Sequence, residues 1–388
     1  MSRTNRRSAP SPLLSLAMIV RDGGQDLVRC LTHARSWVDE IIVGDTGSTD
    51  GSRELAAALG AQVHAIPWND HYAAARNAVL DLCRGPWIVV LDADEAVAPD
   101  DGRRLRAWVE RRAAAAGGRA VAGVLQTRNY VESAAGGWRP ILRPDHHGWC
   151  GGDPAPGYVP SSKVRLFPRL AGVRFAGRLH ETVEESLARS GAVLEKLDAV
   201  VHHWGWLQQD PAKLRRYCRL AALKAADDPD HAGAWAELAD ARAVCGDLAG
   251  AAVALERARS LEPHRVDRQL ALGLVLLQYG RLGDADRHLA AVATSPGGGD
   301  SLRAAAMHGR ARAALLGGRS EAVGPLVAAA LRLTPDDGSL WHTVGAWHLQ
   351  AGRHASARRA LERARRLLPG NREPVRLLAR LAAGSTAD

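Results

Sequence analysis

From position 87 to position 95 the chain reads Trp87-Ile88-Val89-Val90-Leu91-Asp92-Ala93-Asp94-Glu95. The apolar, largely β-branched start of this stretch predicts a short buried strand. Two aspartates follow the strand, with one alanine between them. Carboxylates in this position are ligands for Mg²⁺ or Mn²⁺, and such a cation bridges the phosphates of a nucleotide diphosphate. The stretch therefore predicts sugar transfer from a nucleotide donor, while the simpler interpretation is two solvated carboxylates in a turn.

Upstream segments give the two aspartates a structural context. A second apolar strand at residues 40–44 runs into a turn of small and polar residues, 45–51, and then a helical pattern. A strand, a turn and a helix in this order form a βα unit, and open α/β sheets bind ligands at the carboxyl ends of such strands. Further strands are predicted at residues 13–20 and 62–66, and a helix at 72–83. Four short strands separated by helical segments fit a doubly wound sheet.

Several ordered motifs resemble those of family 2 glycosyltransferases. The matching pieces are residues 18–21, 38–43, 45–50, 74–77, 87–95, 164–167 and 180–181. Together with the second half of the chain, they resemble the subgroup that carries C-terminal tetratricopeptide repeats. The resemblance implies a GT-A α/β fold, an inverting reaction of the hexosyltransferase type, a divalent metal cofactor (Mn or Mg) and a nucleotide-sugar donor, with a UDP-sugar expected.

The resemblance also implies a donor site at the second strand. Asp45 is expected to hold the donor nucleoside, and Thr46, Gly47 and Ser48 form a turn that a ligand can approach closely. Asp50 either joins them or caps the next helix. At its start, this rim carries Asp22-Gly23 where the resembling proteins carry Asn-Glu.

Three further residues are expected in the donor pocket. Arg76 and Asn77 line it according to the resemblance, although an arginine on a helix surface also pairs simply with a carboxylate. Arg165 is expected to meet a phosphate or an acceptor carboxylate. A loop at 145–160, rich in Gly, His and Asp, is interpreted as a lid over the acceptor site, with a Cys/His zinc site as the alternative.

Metal and catalytic roles follow from the same comparison. Asp94 is expected to ligate the metal directly, Asp92 faces the ribose or a metal-bound water, and His203 completes the metal set by closing over the diphosphate. Glu181 is the expected catalytic base, because transfer requires a group that accepts the acceptor's proton, and His180 is its helper. The alternative is a His-Glu turn pair with a structural role only.

The second half of the sequence has helical periodicity with repeated small residues. One set of positions recurs after 106 residues, which leaves room for two intervening repeats of about 34 residues. The first and last repeats share the positions Trp235/Trp341, Leu238/Val344, Ala239/Gly345, Gly246/Gly352, Ala251/Ala357, Leu255/Leu361, Ala258/Ala364 and Pro263/Pro369. An all-α tetratricopeptide solenoid is therefore predicted at 232–388, with a capping helix at 372–383. It is either a concave surface that holds an acceptor peptide, glycan or small molecule, or a passive stabilising array.

Composition sets the remaining expectations. The domains predicted are a basic disordered tail at 1–12, the transferase domain at 13–207, a connecting helix within 208–231 and the repeats.

The net charge of +9 comes from arginines that are spread along helices without interleaved aromatic residues, so no nucleic-acid binding is expected. The five cysteines show no paired spacing, which favours free thiols in the cytoplasm. No membrane span is expected. The alternative function is a non-catalytic interaction scaffold built on a degenerate transferase domain.

Overall fold

Side chains alternate between two faces along the strand β1 (Leu14–Val20) in a computed structural model, which describes residues 11–115, 118–131, 139–140, 157–205, 211–368 and 371–384. Leu14, Leu16 and Met18 pack into one hydrophobic cluster, whereas Ala17 and Ile19 pack into another. A strand that is apolar on both faces needs helices on both sides of its sheet. β1 is therefore the centre of a three-layer α/β arrangement, which confirms the predicted fold class.

The chain divides into two compact units, residues 1–209 and 210–388. After β1, the first unit contains α1 (Gly24–Ala34), β2 (Glu40–Asp45), α2 (Ser52–Ala58), β3 (Gln62–Ala65), α3 (Tyr72–Leu82), β4 (Trp87–Val90), β5 (Glu95–Val97), α4 (Pro99–Ala114), β6 (Val121–Val131), β7 (Arg139–Pro140), β8 (Gly157–Pro168), α5 (Glu184–Arg189) and β9 (Val193–His203).

Within the described residues these strands form one mixed sheet in the order β3-β2-β1-β4-β8-β6-β9-β5, with β7 beside β8. The first four strands are parallel, so their carboxyl ends lie at one edge. β8 is antiparallel to β4 and to β6, while β9 is parallel to β6. The end of β2 and the end of β4 therefore lie at the same edge, with β1 between them.

The packing of α3 against the sheet depends on a close approach at Gly44 in β2. A Cβ at this position would lie 2.4 Å from Cγ2 of Val79 in α3 and 2.8 Å from Cγ1 of Ile66. Since these distances are shorter than van der Waals contact, only glycine fits without displacing α3. This matters for the site, because α3 carries one of its arginines.

The segment that follows β8 is held by α3 and does not join the sheet. Residues 173–175 form no ladder, and only an isolated bridge between Ala176 and Thr182 follows them. The Asn77 side chain in α3 takes the place of a neighbouring strand. Its amide nitrogen donates to the Phe175 carbonyl (3.0 Å) and its amide oxygen accepts from the Phe175 N–H (2.9 Å). One side chain thus satisfies both backbone groups that a neighbouring strand would otherwise pair.

The second unit consists of helices in the part of the chain that the structure describes. They are α6 (Pro211–Asp227), α7 (Ala232–Val244), α8 (Leu248–Leu261), α9 (Val266–Gln278), α10 (Leu282–Thr294), α11 (Asp300–Leu316), α12 (Ser320–Leu333), α13 (Gly338–Gln350), α14 (His354–Leu367) and α15 (Arg372–Gly384). α6 pairs with α7 through Lys224, whose ammonium group lies 2.7 and 2.8 Å from the Glu237 carboxylate oxygens.

Glycines in α9, α11 and α13 allow neighbouring helices to pack closely. A Cβ at Gly273 would lie 2.7 Å from Leu289, and one at Gly345 would lie 2.6 Å from Leu361. Gly309 is similar, at 2.8 Å from Leu289. Gly345 occupies one of the recurring positions of the repeat pattern, and the same kind of close contact is repeated at Gly273 and Gly309.

Among the described helices, none combines the length and the apolar character that spanning a bilayer requires.

Candidate active site

The loop after β2 is organised by Asp45. Its carboxylate accepts hydrogen bonds from the backbone N–H groups of Gly47 (3.3 Å) and Ser48 (3.1 Å), and it lies 3.7 Å from the guanidinium of Arg53. The Asp45 side chain is only 2% exposed. Thr46 donates its hydroxyl to the carbonyl of Val20, which ties the same loop to the end of β1. Asp45 therefore shapes the loop that the sequence assigned to the donor.

Two further aspartates, Asp22 and Asp50, connect this loop to the segment that follows β1. Asp22 has a positive φ of 53°, and its carboxylate accepts from the Thr49 N–H at 2.7 Å. Asp50 accepts from the N–H of Ser52 at 3.0 Å and from the N–H of Gly24 at 3.1 Å. Asp50 thus satisfies a backbone donor in the first turn of α2, whereas the N-cap residue of this helix is Gly51.

The turn after β4 is linked to a distant loop by Arg76 of α3. The Arg76 Nη2 lies 2.5 Å from Oδ1 of Asp92, and its Nε donates to Oε1 of Glu181. Arg76 and Glu181 are 8% and 11% exposed, whereas Asp92 is 33% exposed. One planar guanidinium therefore holds two carboxylates that lie 89 residues apart in sequence, at positions 92 and 181.

The loop that carries Glu181 is fixed at the start of α3. The carbonyl of Arg178 accepts from the Tyr72 N–H at 2.9 Å, and that of Gly177 accepts from the Ala73 N–H at 3.4 Å. The first N–H groups of a helix have no partner within the helix, so these carbonyls serve as its cap. His180 in the same loop is exposed and has a φ of 52°. His180 and Glu181 therefore differ in their surroundings, because His180 is exposed whereas Glu181 is paired with Arg76.

A second arginine lies beneath the turn. Arg165 of β8 is 5% exposed, donates to the buried Glu95 carboxylate and lies 3.9 Å from Asp92. Glu95 in turn accepts from the Asp92 N–H at 2.9 Å. Burial favours the protonated acid of Asp92, but the positive charges of Arg76, Arg165 and Lys163 outweigh it and hold the pKa of Asp92 well below its usual range. Asp92 is thus an ionised carboxylate whose charge is compensated by protein groups.

Asn129 on β6 determines the orientation of His203. The Asn129 amide nitrogen donates to the Val159 carbonyl at 2.9 Å, so its oxygen must face His203 Nδ1, 2.7 Å away. His203 Nδ1 therefore carries a proton, and its Nε2 faces Oδ2 of Asp94 at 3.5 Å. Burial lowers the pKa of His203, but the carboxylates around it, Asp94 first, raise it by more, so the net shift is upward.

Gly205 lies directly against this pair. A Cβ at Gly205 would be 2.1 Å from Oδ2 of Asp94 and 2.6 Å from Nε2 of His203. The two groups therefore lie so close to Gly205 that even a single methyl group at this position would overlap them. An imidazole nitrogen oriented by an amide and a carboxylate oxygen at its side are a donor set that suits Mn²⁺ or Mg²⁺.

Within the described residues, no group of three or more His, Cys, Asp and Glu side chains is arranged to hold a metal. Asp94 and His203 fit as two ligands, whereas Asp92 is bound by Arg76. Mg²⁺ sites commonly use one or two carboxylates and complete the shell with substrate phosphates and water, so two protein ligands are compatible with a metal that arrives with a nucleotide. Asp94 and His203 are therefore a suitable pair of protein ligands for Mn²⁺ or Mg²⁺, and Asp92 lies beside them.

The predicted residues thus fall into three groups. Arg76, Asp92, Arg165 and Glu181 form one ion-pair network, Asp94 and His203 form a neighbouring pair, and Asp45 to Ser48 form the loop at the end of β2. Asn77 uses its whole amide to hold the Phe175 backbone. Most of the predicted loop at 145–160 lies outside the described residues, as do residues 1–10 of the tail predicted at 1–12; residues 157–160 belong to β8.

Sequence reasoning missed Asn129, which orients His203. It also missed a set of near-parallel rings around the neighbouring residue, His202. The Tyr130 ring lies 5.9 Å from the ring of His202 and 5.7 Å from that of Trp204. The guanidinium of Arg29 lies 4.7 Å from the Trp204 ring. Polar and aromatic side chains at the ends of β6 and β9 were the available signal, but only the pairing of these two strands places them together.

Residues 15–155 match the family described as Glycosyl transferase family 2, and residues 338–381 match the Tetratricopeptide repeat family. The N-terminal unit carries a family 2 glycosyltransferase domain. Its parallel strands and carboxylate-bearing edge agree with the GT-A-like α/β fold that the sequence predicted, and a run of tetratricopeptide helices follows it.

Related proteins cover parts of the chain. A TPR repeat-containing protein of Synechococcus elongatus is 34% identical over 175 residues, which is 45% of this chain and 36% of that protein. An uncharacterized glycosyltransferase of Rickettsia felis is 32% identical over 87 residues, 22% of this chain and 30% of that protein. The succinoglycan biosynthesis protein ExoO of Rhizobium meliloti is 40% identical over 79 residues, 20% and 22% of the two chains. The matches thus span about a third or less of these relatives.

Solved structures resemble the chain only weakly. A MamA double mutant gives a TM-score of 0.35 at 18% identity, covering 40% of this chain and 85% of that chain. PilF of Pseudomonas aeruginosa gives 0.38 at 18% identity, with 47% and 80% covered.

Proposed function

We propose that this chain transfers a sugar from a nucleotide diphosphate donor, a UDP-sugar, to a hydroxyl-bearing acceptor with inversion at the anomeric carbon. The observation that carries the proposal is the bridge formed by Arg76 between Asp92 and Glu181. It ties a carboxylate at the donor edge of the sheet to a carboxylate on a separate loop. A glycosyl transfer needs a donor-side group and an acceptor-side group in such a fixed relation.

The donor nucleoside is assigned to the loop after β2. Asp45 supports this role through the backbone of Gly47 and Ser48, whose N–H groups it holds. Gly47 has a positive φ of 105°, a conformation that favours glycine. Because glycine has no side chain, a ligand can approach the backbone of the loop at this point. Arg165 is assigned to a position below the diphosphate, where its positive charge helps to lower the pKa of Asp92 and opposes the burial that raises the pKa of Glu95.

Asp94 and His203 are assigned to the divalent cation, with Asp92 beside them. When bound, Mn²⁺ or Mg²⁺ neutralises the charge that develops on the departing diphosphate. In the neutral imidazole, Asn129 keeps the His203 proton on Nδ1, so Nε2 carries the lone pair that a cation can use. The Asp94 carboxylate, whose Oδ2 lies 3.5 Å from His203 Nε2, supplies the negative charge for a cation at this place.

Glu181 is assigned as the base. Its Oε1 is held by Arg76, while its Oε2 has no hydrogen-bond partner within the described residues. In the transfer, Oε2 accepts the proton of the acceptor hydroxyl as the acceptor oxygen bonds to the anomeric carbon. The bond between that carbon and the diphosphate oxygen breaks, and its electron pair leaves with the nucleotide diphosphate.

The repeats are assigned to the acceptor. Their helices support this role by analogy with other tetratricopeptide arrays, whose concave faces hold extended segments. A peptide, a glycan and a small molecule all meet the requirement for a hydroxyl group. We place the boundary of the two domains between the end of β9 and the start of α6.

Two measurements test the proposal without knowledge of the acceptor. Titration calorimetry with UDP and the other nucleoside diphosphates, with and without Mn²⁺, is expected to show binding that the metal strengthens. A screen of nucleotide sugars is expected to find one that the chain hydrolyses slowly, with water as the acceptor. If no nucleotide binds and no donor is hydrolysed, the transferase proposal fails and the alternative of a non-catalytic scaffold is supported.

A further inference from the structure

The positive charge of the chain is concentrated at its C-terminal end. Residues 353–384 contain nine arginines and two glutamates, a net charge of +7, whereas the whole chain has a net charge of +9. This segment is made up almost entirely of α14 and α15. Most of the net positive charge of the chain therefore lies in the last two helices, although arginines occur throughout the sequence.

The last helix has an outer face of arginines. Arg372, Arg376 and Arg380 follow one another at every fourth position and are all exposed. Residues four apart lie on the same side of a helix, so these three side chains form one row. The opposite side of α15 packs against α14, where Leu381 joins Ala357 and Leu361. The row therefore faces away from the helix pair.

Aliphatic side chains share this outer face. Val375 is 50% exposed and lies within the row of arginines, and Ala379 is exposed beside it. The preceding helix adds further exposed arginines, namely Arg358, Arg359, Arg365 and Arg366. We call the exposed arginines of the two helices, together with Val375 and Ala379, the C-terminal basic surface.

Most of these arginines lack the ion pairs that are frequent elsewhere in the repeats. In earlier helices Arg257 pairs with Asp230, and Arg281 and Arg287 both pair with Asp284. On the C-terminal basic surface, only Arg376 has a carboxylate partner among the described residues, Glu373. The charge of this surface is therefore left largely uncompensated by the protein.

We propose that the C-terminal basic surface docks on a lipid bilayer that contains anionic headgroups. Each guanidinium gains free energy near a negatively charged bilayer, and bidentate contact with phosphate suits arginine in particular. The aliphatic residues between the arginines enter the boundary between headgroups and acyl chains, as in helices that lie in a membrane interface.

Nucleic acid is the other large anion that such a surface attracts. Single-stranded nucleic acids are bound through aromatic side chains that stack on bases, and residues 353–384 contain no Phe, Tyr or Trp. Val375, which is half exposed within the row of arginines, would contribute nothing to a contact with the phosphates of a nucleic acid. The composition of the surface therefore favours the bilayer.

The test uses the full chain and vesicles in a co-sedimentation assay. We expect binding to phosphatidylcholine vesicles that contain about 30% phosphatidylglycerol and none to phosphatidylcholine alone, with the affinity falling as salt is raised. In the variant R372Q/R376Q/R380Q each lost charge is expected to weaken binding about fivefold, so the partition coefficient falls roughly 100-fold.

A charge-matched control is R257Q/R281Q/R287Q, which removes the same number of positive charges from arginines that are ion-paired in the structure. It is expected to bind anionic vesicles as the unmodified chain does. A second variant, R358Q/R365Q/R366Q, tests the neighbouring helix if the first fails to fold, as judged by circular dichroism. The proposal is overturned by equal losses in variant and control, by equal binding to both vesicle types, or by surface-dependent binding to DNA without binding to vesicles.

Discussion

Replacing Arg76 tests the bridge on which the proposed site depends. Arg76→Met removes the cation from between Asp92 and Glu181 without removing much volume. Glu181 is then a nearly buried carboxylate without a counter-ion, since its side chain is 11% exposed. Asp92 is better solvated, at 33% exposed, and keeps Arg165 at 3.9 Å. The cost is therefore set mainly by one unpaired carboxylate.

Breaking a buried ion pair by removing one partner costs about 3 kcal/mol at the lower end of measured values. For a unit of this size, each kcal/mol lowers the melting temperature by roughly 2–4 °C. We expect the transition of the N-terminal unit in calorimetry to fall by roughly 6–12 °C in Arg76→Met. Because the chain has two units, the transition of the repeats should stay in place and serve as an internal control.

Arg76→Lys separates geometry from charge. An ammonium group keeps the positive charge but lacks the planar fork that reaches both carboxylates. We expect kcat for donor hydrolysis to fall by about 10- to 100-fold, as for other small misplacements of reacting groups, while nucleotide affinity changes little. Arg111→Lys, an exposed arginine on α4, is the control. If Arg76→Lys keeps the melting temperature and kcat of the unmodified chain, the bridge does not position Glu181.

Three further predictions address the metal, the repeats and the sheet. Asp94→Asn should weaken Mn²⁺ binding and lower the rate together, by about 100-fold, whereas the exposed Asp100→Asn should change neither; unaltered Mn²⁺ dependence would contradict the metal assignment. Burial lowers the pKa of His308 from 6.5 to about 4, so the repeats should have their full stability above the pKa of the unfolded state. They should lose up to roughly 3 kcal/mol as the pH falls toward 4, a loss that His308→Gln should reduce in urea unfolding at several pH values. Gly44→Ala should destabilise the N-terminal unit by about 1–3 kcal/mol, because the new Cβ overlaps Val79, and chemical denaturation measures this directly.

Local patterns made much of the fold predictable from sequence. The apolar run before Asp92 forms β4 as expected, and its two aspartates emerge at the carboxyl edge of the parallel strands. Gly345, one of the recurring positions of the repeat pattern, lies at a close contact between two helices. These features depend on residues that are near one another in the chain, so periodicity and turn chemistry were sufficient to predict them.

The contacts within the candidate site were not predictable in the same way. Asn129 and His203 are 74 residues apart, and only the parallel pairing of β6 with β9 places the amide beside the imidazole. Likewise, Arg76 and Glu181 meet across 105 residues because the Glu181 loop caps α3. No single-sequence pattern predicts which of many arginines will satisfy which carboxylate, since that depends on the sheet order.

The central claim is that Glu181 accepts the acceptor's proton, and Glu181→Gln tests it most directly. The amide keeps the size of the side chain but cannot take up a proton. With the donor identified by the screen, single-turnover hydrolysis should slow by about 10²- to 10⁴-fold, the usual contribution of a positioned base. Affinity for the nucleotide and Mn²⁺ should be retained, and Glu185→Gln, an exposed glutamate on α5, should behave as the unmodified chain. A near-normal rate in Glu181→Gln would contradict the claim, and loss of nucleotide binding would assign Glu181 to the donor instead.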